Sequence, residues 1–277
     1  MKEEIKKLQE NLVPATDQNK GSFFPRDDVT GNGLKILFVG NSITKHAPKA
    51  DIGWFGDWGM AATSLENDYV HQTMSKIREV RPGSGFAMLQ VAGYEREFYT
   101  LHPSEIYEAA REYRPDVVIM FFGANVNKEY DTTENPPRTF GEAYEELRNW
   151  IDNGKTLFIH SQGFYIRPVL DNEKKNVAEK YGDIFVNIED IRNREDTHGK
   201  FNHPNDLGMA LIAERFEAIA AEMEGGSIGH VCTVNQVPFA VLRSISDGDG
   251  GAMDYQTFAE KAAMVSIEVI LEFIARV

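Results

Sequence analysis

The sequence predicts an α/β fold with a mainly parallel sheet and helices on both faces. Short apolar runs of strand length alternate along the chain with segments that have the periodicity of amphipathic helices. The run at 117–122 is continuously apolar rather than alternating, which is typical of a parallel strand that is covered on both faces. Alternation of strands and helices requires crossover connections, and these place helices on the faces of the sheet.

Within the sheet domain, five segments are predicted as strands and five as helices. The strands cover residues 34–39, 86–91, 117–122, 156–160 and 184–188. The helices cover residues 66–80, 104–113, 139–151 and 172–181, and a last helix starts after Asp206. The second helix ends before Pro115, because the residue that precedes a proline disfavours helical geometry.

The composition limits the class of protein. A chain of 277 residues with 42% hydrophobic residues can bury one substantial core. The formal net charge of −14 argues against nucleic-acid partners and anionic membranes, because both would repel such a surface. The lone cysteine, Cys232, excludes an intramolecular disulfide, which favours a reducing cytoplasm as the compartment. With no apolar run of membrane length, the sequence also predicts a soluble protein.

The chain is predicted to have three parts. Residues 1–32 fit poorly into the sheet and are expected to form a helix and an arm on the domain surface, and residues 33–221 form the α/β domain. Residues 222–277 read as a helix–strand–helix appendage. A single strand with two helices makes a poor core of its own. The appendage is therefore expected to dock on the domain or to pair with a second copy in a homodimer.

The most informative motif follows the first predicted strand. Gly40-Asn41-Ser42-Ile43-Thr44 places a serine hydroxyl on a tight turn at the carboxyl end of a buried strand. Ligands of open α/β sheets bind at this edge. A serine needs a base to take its proton and donors to stabilise the oxyanion that forms.

The rest of the chain offers both kinds of group. His203, on the loop before the last helix, is the candidate base. The candidate oxyanion donors are the backbone N–H groups of Ser42 and Gly59 and the side-chain amide of Asn125. The remaining histidines lack metal-ligand spacing, so neither a metal nor a cofactor is expected.

These residues resemble the four blocks of the SGNH (GDSL-type) hydrolase family. Gly40-Asn41-Ser42 is similar to the first block, with Asn41 where Asp is commoner, and Gly59, Gly123-Ala124-Asn125 and His203-Pro204-Asn205 follow in family order. The resemblance implies a three-layer flavodoxin-like domain. It also implies a metal-independent hydrolase of esters such as acetylated carbohydrates or small acyl esters.

One position departs from this pattern. The family carries an aspartate three residues before the histidine, where it orients the imidazole, and here that position is Lys200. Asp196, Glu195 or a backbone carbonyl could hold the ring instead. If none does, the chain is a non-catalytic module that binds carbohydrate or nucleoside.

The last fifth of the chain resembles a different family, the methylthioadenosine/S-adenosylhomocysteine nucleosidases. The matching residues are Met223, Glu224, Arg243, Ser246 and Asp247. The resemblance implies that Glu224 holds ribose hydroxyls and that Asp247 protonates the leaving adenine. The part of that family that carries the water-activating glutamate has no counterpart here. The segment is therefore interpreted as a nucleosidase fragment joined by gene fusion, and nucleoside cleavage is the weakest hypothesis.

Overall fold

The structure is a computed structural model that describes residues 22–220, with side chains up to residue 216. A six-stranded sheet forms the centre of this part of the chain. Its strands are β1 (Phe23–Pro25), β2 (Lys35–Gly40), β3 (Gly85–Gln90), β4 (Val117–Phe121), β5 (Leu157–Ser161) and β6 (Ile184–Val186). Their order in space is β1-β3-β2-β4-β5-β6, and only the β1–β3 pair is antiparallel. The predicted α/β class with a mainly parallel sheet is confirmed.

Helices cover both faces of this sheet. They are α1 (Tyr69–Val80), α2 (Ala92–Glu97), α3 (Pro103–Ile106), α4 (Glu108–Tyr113), α5 (Phe140–Ile151), α6 (Pro168–Tyr181), α7 (Glu189–Arg192) and α8 (Asp206–Ala220). Ile36 and Phe38 of β2 pack in one buried cluster with α1, α7 and α8. Leu37 and Val39 pack in a second cluster with α2, α4, α5 and α6. Because both faces are covered, β2 is apolar at consecutive positions.

Three helices differ from their predicted bounds. The helix predicted at 172–181 starts earlier, at Pro168, because proline is favoured in the first turn of a helix. The predicted helix 66–80 starts at Tyr69, because the Asp68 carboxylate accepts the N–H of His71 and caps the helix there. The predicted helix 104–113 is two short helices, α3 and α4, that meet at Tyr107. The Tyr107 ring is buried in the second cluster, and its backbone (φ −120°) is not helical.

The edge strand β1 was not predicted. Residues 23–25 were expected to lie in a surface arm, but Phe23 pairs with Leu89 and Pro25 with Ala87 of β3. Proline is tolerated at a sheet edge because its missing N–H faces away from the ladder. The pairing depends on a strand some sixty residues further along the chain, so no local pattern marks it.

The chain divides into two units, Met1–Gly226 and Ser227–Val277. Of the helix and arm predicted for residues 1–32, residues 1–21 lie outside the described residues. The predicted appendage, residues 222–277, and its homodimer contact also lie outside them. Among the helices that are described, none has both the length and the apolar character needed to cross a membrane.

Candidate active site

The candidate site lies at the carboxyl edge of the parallel strands. Gly40, the last residue of β2, pairs in register with Phe121, the last residue of β4. The loops that carry Ser42 and Asn125 therefore leave the sheet side by side. A Cβ atom on Gly40 would lie 1.7 Å from Thr44 Oγ1 and 3.2 Å from the Phe121 carbonyl oxygen. Glycine is required here because the turn folds back against its own strand.

Ser42 and His203 form a hydrogen-bonded pair. The distance from Ser42 Oγ to His203 Nε2 is 2.7 Å, although the two residues are 161 positions apart in the chain. The turn that carries the serine is closed by the N–H groups of Thr44 and Lys45, which both donate to the Asn41 carbonyl at 3.0 Å. This geometry allows His203 to take the proton of the Ser42 hydroxyl.

Among the side chains of residues 22–216, no carboxylate contacts the other ring nitrogen of His203. Its Nδ1 lies 2.9 Å from the Phe201 carbonyl oxygen and 3.1 Å from the Tyr165 hydroxyl. Asp196 instead forms a bidentate ion pair with Arg194. Of the groups considered from the sequence, the backbone carbonyl is therefore the one that meets the imidazole.

The backbone that aims this carbonyl adopts an uncommon conformation. Phe201 (φ 60°) and Asn202 (φ 57°) are both left-handed, in a short turn that starts at Lys200. Left-handed geometry at non-glycine residues costs roughly 1–3 kcal/mol each and is often found where function requires it. Since the His203 N–H donates to the Lys200 carbonyl at 3.0 Å, the turn also ties the histidine to its own backbone.

The contacts of Nδ1 determine the tautomer of His203. A carbonyl oxygen can only accept a hydrogen bond, so Nδ1 carries the proton and Nε2 presents its lone pair to Ser42. Burial lowers the pKa of His203 from its ordinary value of 6.5; the Phe201 carbonyl opposes this shift, and the charge of His46 adds to it. The imidazole is therefore neutral at neutral pH, as a general base requires.

The three expected oxyanion donors do not behave alike. Within the described residues, the Ser42 N–H has no hydrogen-bond partner and is free to donate. The Gly59 N–H is already donated to the buried Asp68 carboxylate at 3.0 Å. Gly59 has a packing role instead, because a Cβ atom there would lie 2.5 Å from the Ile43 carbonyl oxygen. The structure does not present Gly59 as a donor to the site.

Asn125 has a fixed amide orientation. Its Nδ2 donates to Glu95 Oε2 at 2.5 Å, and its Oδ1 accepts from Arg96 Nη2 at 2.9 Å. An amide nitrogen carries two hydrogens, so one N–H of Asn125 remains for an oxyanion. The preceding Gly123 has φ 127°, a value that favours glycine and lets the loop turn directly after β4.

Three residues at this site were not identified from the sequence: Tyr165, Glu95 and Arg96. Tyr165 follows β5 at the same edge of the sheet, and burial raises its pKa to about 12, so its hydroxyl stays neutral. Glu95 and Arg96 lie in α2, a helix that was not predicted. The sequence offered one signal for Glu95, which is Asn41 in place of the commoner aspartate. An amide at position 41 can donate a hydrogen bond to an acid from another part of the chain, as Asn41 does to Glu95.

A small cavity lies beside these residues. Its lining includes Ala124, Tyr165, Leu170 and Lys174, and its volume of ≈ 10 Å³ is that of about one water molecule. Burial lowers the pKa of Lys174, and its ammonium pairs with Asp171 at 3.0 Å. Within residues 22–216, no group of three or more histidine, cysteine or acidic side chains has the arrangement of a metal site.

Comparisons with known proteins give two different likenesses. A model of the phosphorylase superfamily matches residues 198–275. The 5'-methylthioadenosine/S-adenosylhomocysteine nucleosidase of Treponema pallidum is 41% identical over 71 residues, which are 24% of this chain and 26% of that protein. The chain thus spans about a quarter of the length of this curated relative. The predicted likeness of the C-terminal segment to nucleosidases is confirmed.

The solved structures that are similar cover the larger part of the chain. A two-domain esterase active on acetylated mannans is 20% identical, covers 80% of this chain and 54% of its own, and has a TM-score of 0.47. A carbohydrate esterase family 2 enzyme from Corynascus thermopiles (Myceliophthora fergusii) is 14% identical, covers 73% and 69%, and has a TM-score of 0.48. The predicted likeness to esterases is confirmed as a likeness of fold.

The match to the phosphorylase superfamily begins inside the sheet domain. The superfamily match begins at residue 198, before the boundary predicted at 222, and it includes His203 and α8. In the structure α8 belongs to the core of the sheet domain. Its Phe216 ring contacts Tyr69 of α1 at 5.7 Å and Phe121 of β4 at 5.6 Å between ring centroids.

Proposed function

We propose that the chain is a serine ester hydrolase with Ser42 as nucleophile and His203 as general base. The observation that carries this proposal is the 2.7 Å hydrogen bond between Ser42 Oγ and His203 Nε2, with Nδ1 held by a carbonyl. The remaining groups fit the same chemistry, because the Ser42 N–H and one N–H of Asn125 have no hydrogen-bond partner among residues 22–216 and can donate to an oxyanion.

The reaction proceeds in two half-reactions. His203 Nε2 takes the hydroxyl proton of Ser42 while Oγ attacks the ester carbonyl, and the oxyanion receives the free N–H groups. The intermediate collapses as the imidazolium protonates the leaving alkoxide, which leaves an acyl group on Ser42. A water molecule then repeats these steps, with His203 as its base, and releases the acid. The Phe201 carbonyl stabilises the imidazolium, the role that an aspartate has in a full triad.

The proposed substrates are small acyl esters, acetylated carbohydrates among them. This class follows from the resemblance of the four motifs to SGNH hydrolases and extends the proposal beyond the geometry of the dyad. A panel of p-nitrophenyl esters of increasing acyl length and of acetylated xylo- and manno-oligosaccharides tests it. We expect the fastest turnover with acetyl esters.

Serine variants test the nucleophile with a matched control. Ser42→Ala is expected to reduce turnover to the level without enzyme. Ser161 also ends a strand at this edge, but it is buried and its hydroxyl donates to the Gln162 carbonyl at 3.0 Å. Ser161→Ala is therefore expected to keep the activity. Equal background turnover of the wild type and Ser42→Ala across the whole panel would refute the proposal.

A nucleosidase activity is the second candidate, because residues 198–275 match the phosphorylase superfamily. Its expected residues, Met223, Glu224, Arg243, Ser246 and Asp247, lie outside the described residues. The test is the release of adenine from methylthioadenosine by the full chain. Release that Asp247→Asn abolishes and Ser42→Ala leaves intact would support this candidate, and no release would remove it.

The third candidate is a binding module without catalysis, which the lysine at position 200 suggested. The orientation of His203 by the Phe201 carbonyl weighs against it, because the imidazole does not need an acid at that position. Saturable binding of an acetylated oligosaccharide without turnover would favour the binding module over the hydrolase.

A further inference from the structure

Glu95 is a buried acid at the centre of the site that the proposed reaction does not use directly. Its side chain lies in α2 and is fully buried. Burying a carboxylate is costly unless hydrogen bonds compensate for the lost water. Within residues 22–216, no lysine or arginine forms an ion pair with it. The charge of Glu95 does raise the pKa of the buried Lys174, against the stronger lowering by burial.

Three N–H donors compensate for the burial of Glu95. Asn41 Nδ2 donates to Oε1 at 3.0 Å, the backbone N–H of Gly123 donates to the same oxygen, and Asn125 Nδ2 donates to Oε2 at 2.5 Å. All three partners are donors, so Glu95 acts only as an acceptor. One carboxylate thus joins the turn that carries Ser42 to the loop that carries Asn125.

The same contacts determine the orientation of the Asn125 side-chain amide. Glu95 takes one amide hydrogen, and Arg96 donates to the amide oxygen at 2.9 Å. A rotation of the amide by half a turn would place its oxygen against the Glu95 carboxylate and its nitrogen against the Arg96 guanidinium. Both contacts would then be repulsive, so the second Asn125 N–H stays available as a donor.

The position of Asn41 follows from the same acid. Its Nδ2 donates to Glu95, while its Oδ1 accepts the Ile43 N–H at 3.2 Å inside the turn. An aspartate at position 41 would face Glu95 with a second carboxylate. Asparagine at position 41 avoids this repulsion between two carboxylates, and it therefore fits a buried glutamate at position 95 better than the commoner aspartate does.

We propose that Glu95 is a positioning residue that holds Asn125 as an oxyanion donor and fixes its distance from the Ser42 turn. Arg96 completes the arrangement by fixing the amide orientation. The inference rests on the proposed function as far as turnover is concerned, whereas the placement of the Asn125 amide can be measured without any substrate.

A double-mutant cycle tests whether Glu95 acts through Asn125. We would measure kcat and KM for p-nitrophenyl acetate in the wild type, Glu95→Gln, Asn125→Ala and the double variant. Asn125→Ala is expected to lower kcat about 10²–10³-fold, as the loss of one oxyanion donor does. Glu95→Gln should lower kcat by at least about tenfold with little change in KM, and in the Asn125→Ala background it should cost less than about threefold. Effects that multiply in full would overturn the proposal.

Asp183→Asn is the matched control for the loss of a buried acid. Asp183 is held by Arg148 and His160 away from Ser42, with Arg148 Nε at 2.9 Å and His160 Nε2 at 3.0 Å. This variant should lower Tm and leave kcat unchanged. If Asp183→Asn lowers kcat as much as Glu95→Gln does, the effect of Glu95 is one of stability alone and the proposal fails.

The second readout is the side-chain amide resonance of Asn125 in ¹⁵N-labelled protein, assigned by its loss in Asn125→Ala. A hydrogen bond to a carboxylate moves one amide proton downfield, and Glu95→Gln should reverse this shift while Asp183→Asn should not. An Asn125 resonance that is the same in the wild type and Glu95→Gln would overturn the inference. A wild type that hydrolyses no ester would refute the proposed function but leave this readout decisive for Glu95.

Discussion

Removal of the Tyr165 hydroxyl separates the two groups that contact His203 Nδ1. In Tyr165→Phe, the phenol at 3.1 Å is lost and the Phe201 carbonyl at 2.9 Å remains. The carbonyl keeps the proton on Nδ1 and therefore keeps the lone pair of Nε2 toward Ser42. The activity of this variant therefore measures how well the Phe201 carbonyl orients the His203 imidazole without the phenol.

The expected loss follows from the strength of one hydrogen bond. A net contribution of about 0.5–1.5 kcal/mol corresponds to a roughly 2- to 13-fold lower rate. The loss should appear in kcat, because the contact matters most when the ring becomes an imidazolium in the transition state. KM should change little, since the hydroxyl is engaged with the imidazole.

Tyr144→Phe is the matched control, since Tyr144 makes the same kind of contact to a histidine that lies outside the dyad. Its hydroxyl is 2.9 Å from Nδ1 of the buried His160. Steady-state kinetics with p-nitrophenyl acetate should show an unchanged kcat for Tyr144→Phe, and urea unfolding should show a loss of about 1 kcal/mol. A loss of roughly 10³-fold or more in Tyr165→Phe would mean that the phenol, not the carbonyl, orients the ring.

Three further predictions concern the turn, the missing acid and the pH profile. Gly40→Ala should lower the free energy of unfolding, measured in urea, by about 2–4 kcal/mol. The new methyl group would clash with Thr44 and break the 2.7 Å contact between the Thr44 and Tyr69 hydroxyls. Unchanged stability would contradict the tight turn. Lys200→Asp should keep kcat within about threefold because Nδ1 already has a partner, and a gain of tenfold or more would show that the carbonyl is a poor substitute. Burial lowers the pKa of His203 below its ordinary value of 6.5. In a pH–rate profile, kcat/KM should therefore fall as the base becomes protonated, and the midpoint of this fall should lie below pH 6.5. A midpoint above pH 6.5 would contradict this.

Much of the fold was predictable because its signals are local. The strands β2 and β4 are covered on both faces, and their continuous apolar runs mark them in the sequence. The pairing of Ser42 with His203 was also predictable. Ser42 follows β2, His203 lies in the connection between β6 and α8, and the carboxyl ends of these parallel strands are at one edge of the sheet.

The rest depends on contacts between distant residues. Glu95 lies 54 positions from Asn41 and 30 from Asn125, so its burial is explained only once α2 and two loops have come together. The hydrogen bond from the Gly59 N–H to Asp68 was likewise not predictable, because the sequence of a turn does not indicate which way a glycine N–H points. The orientation of His203 depends on the left-handed backbone of Phe201, a conformation that its residue type disfavours.

The Ser42–His203 dyad is tested most directly by the site of acylation. The full chain would be mixed with p-nitrophenyl acetate, quenched in acid during the burst and mapped by peptide mass spectrometry. We predict an acetyl group on Ser42 in the wild type and its absence in Ser42→Ala and His203→Ala, with a burst amplitude of about one nitrophenol per chain. Acetylation elsewhere in the chain, or an equal burst in Ser42→Ala, would contradict the dyad.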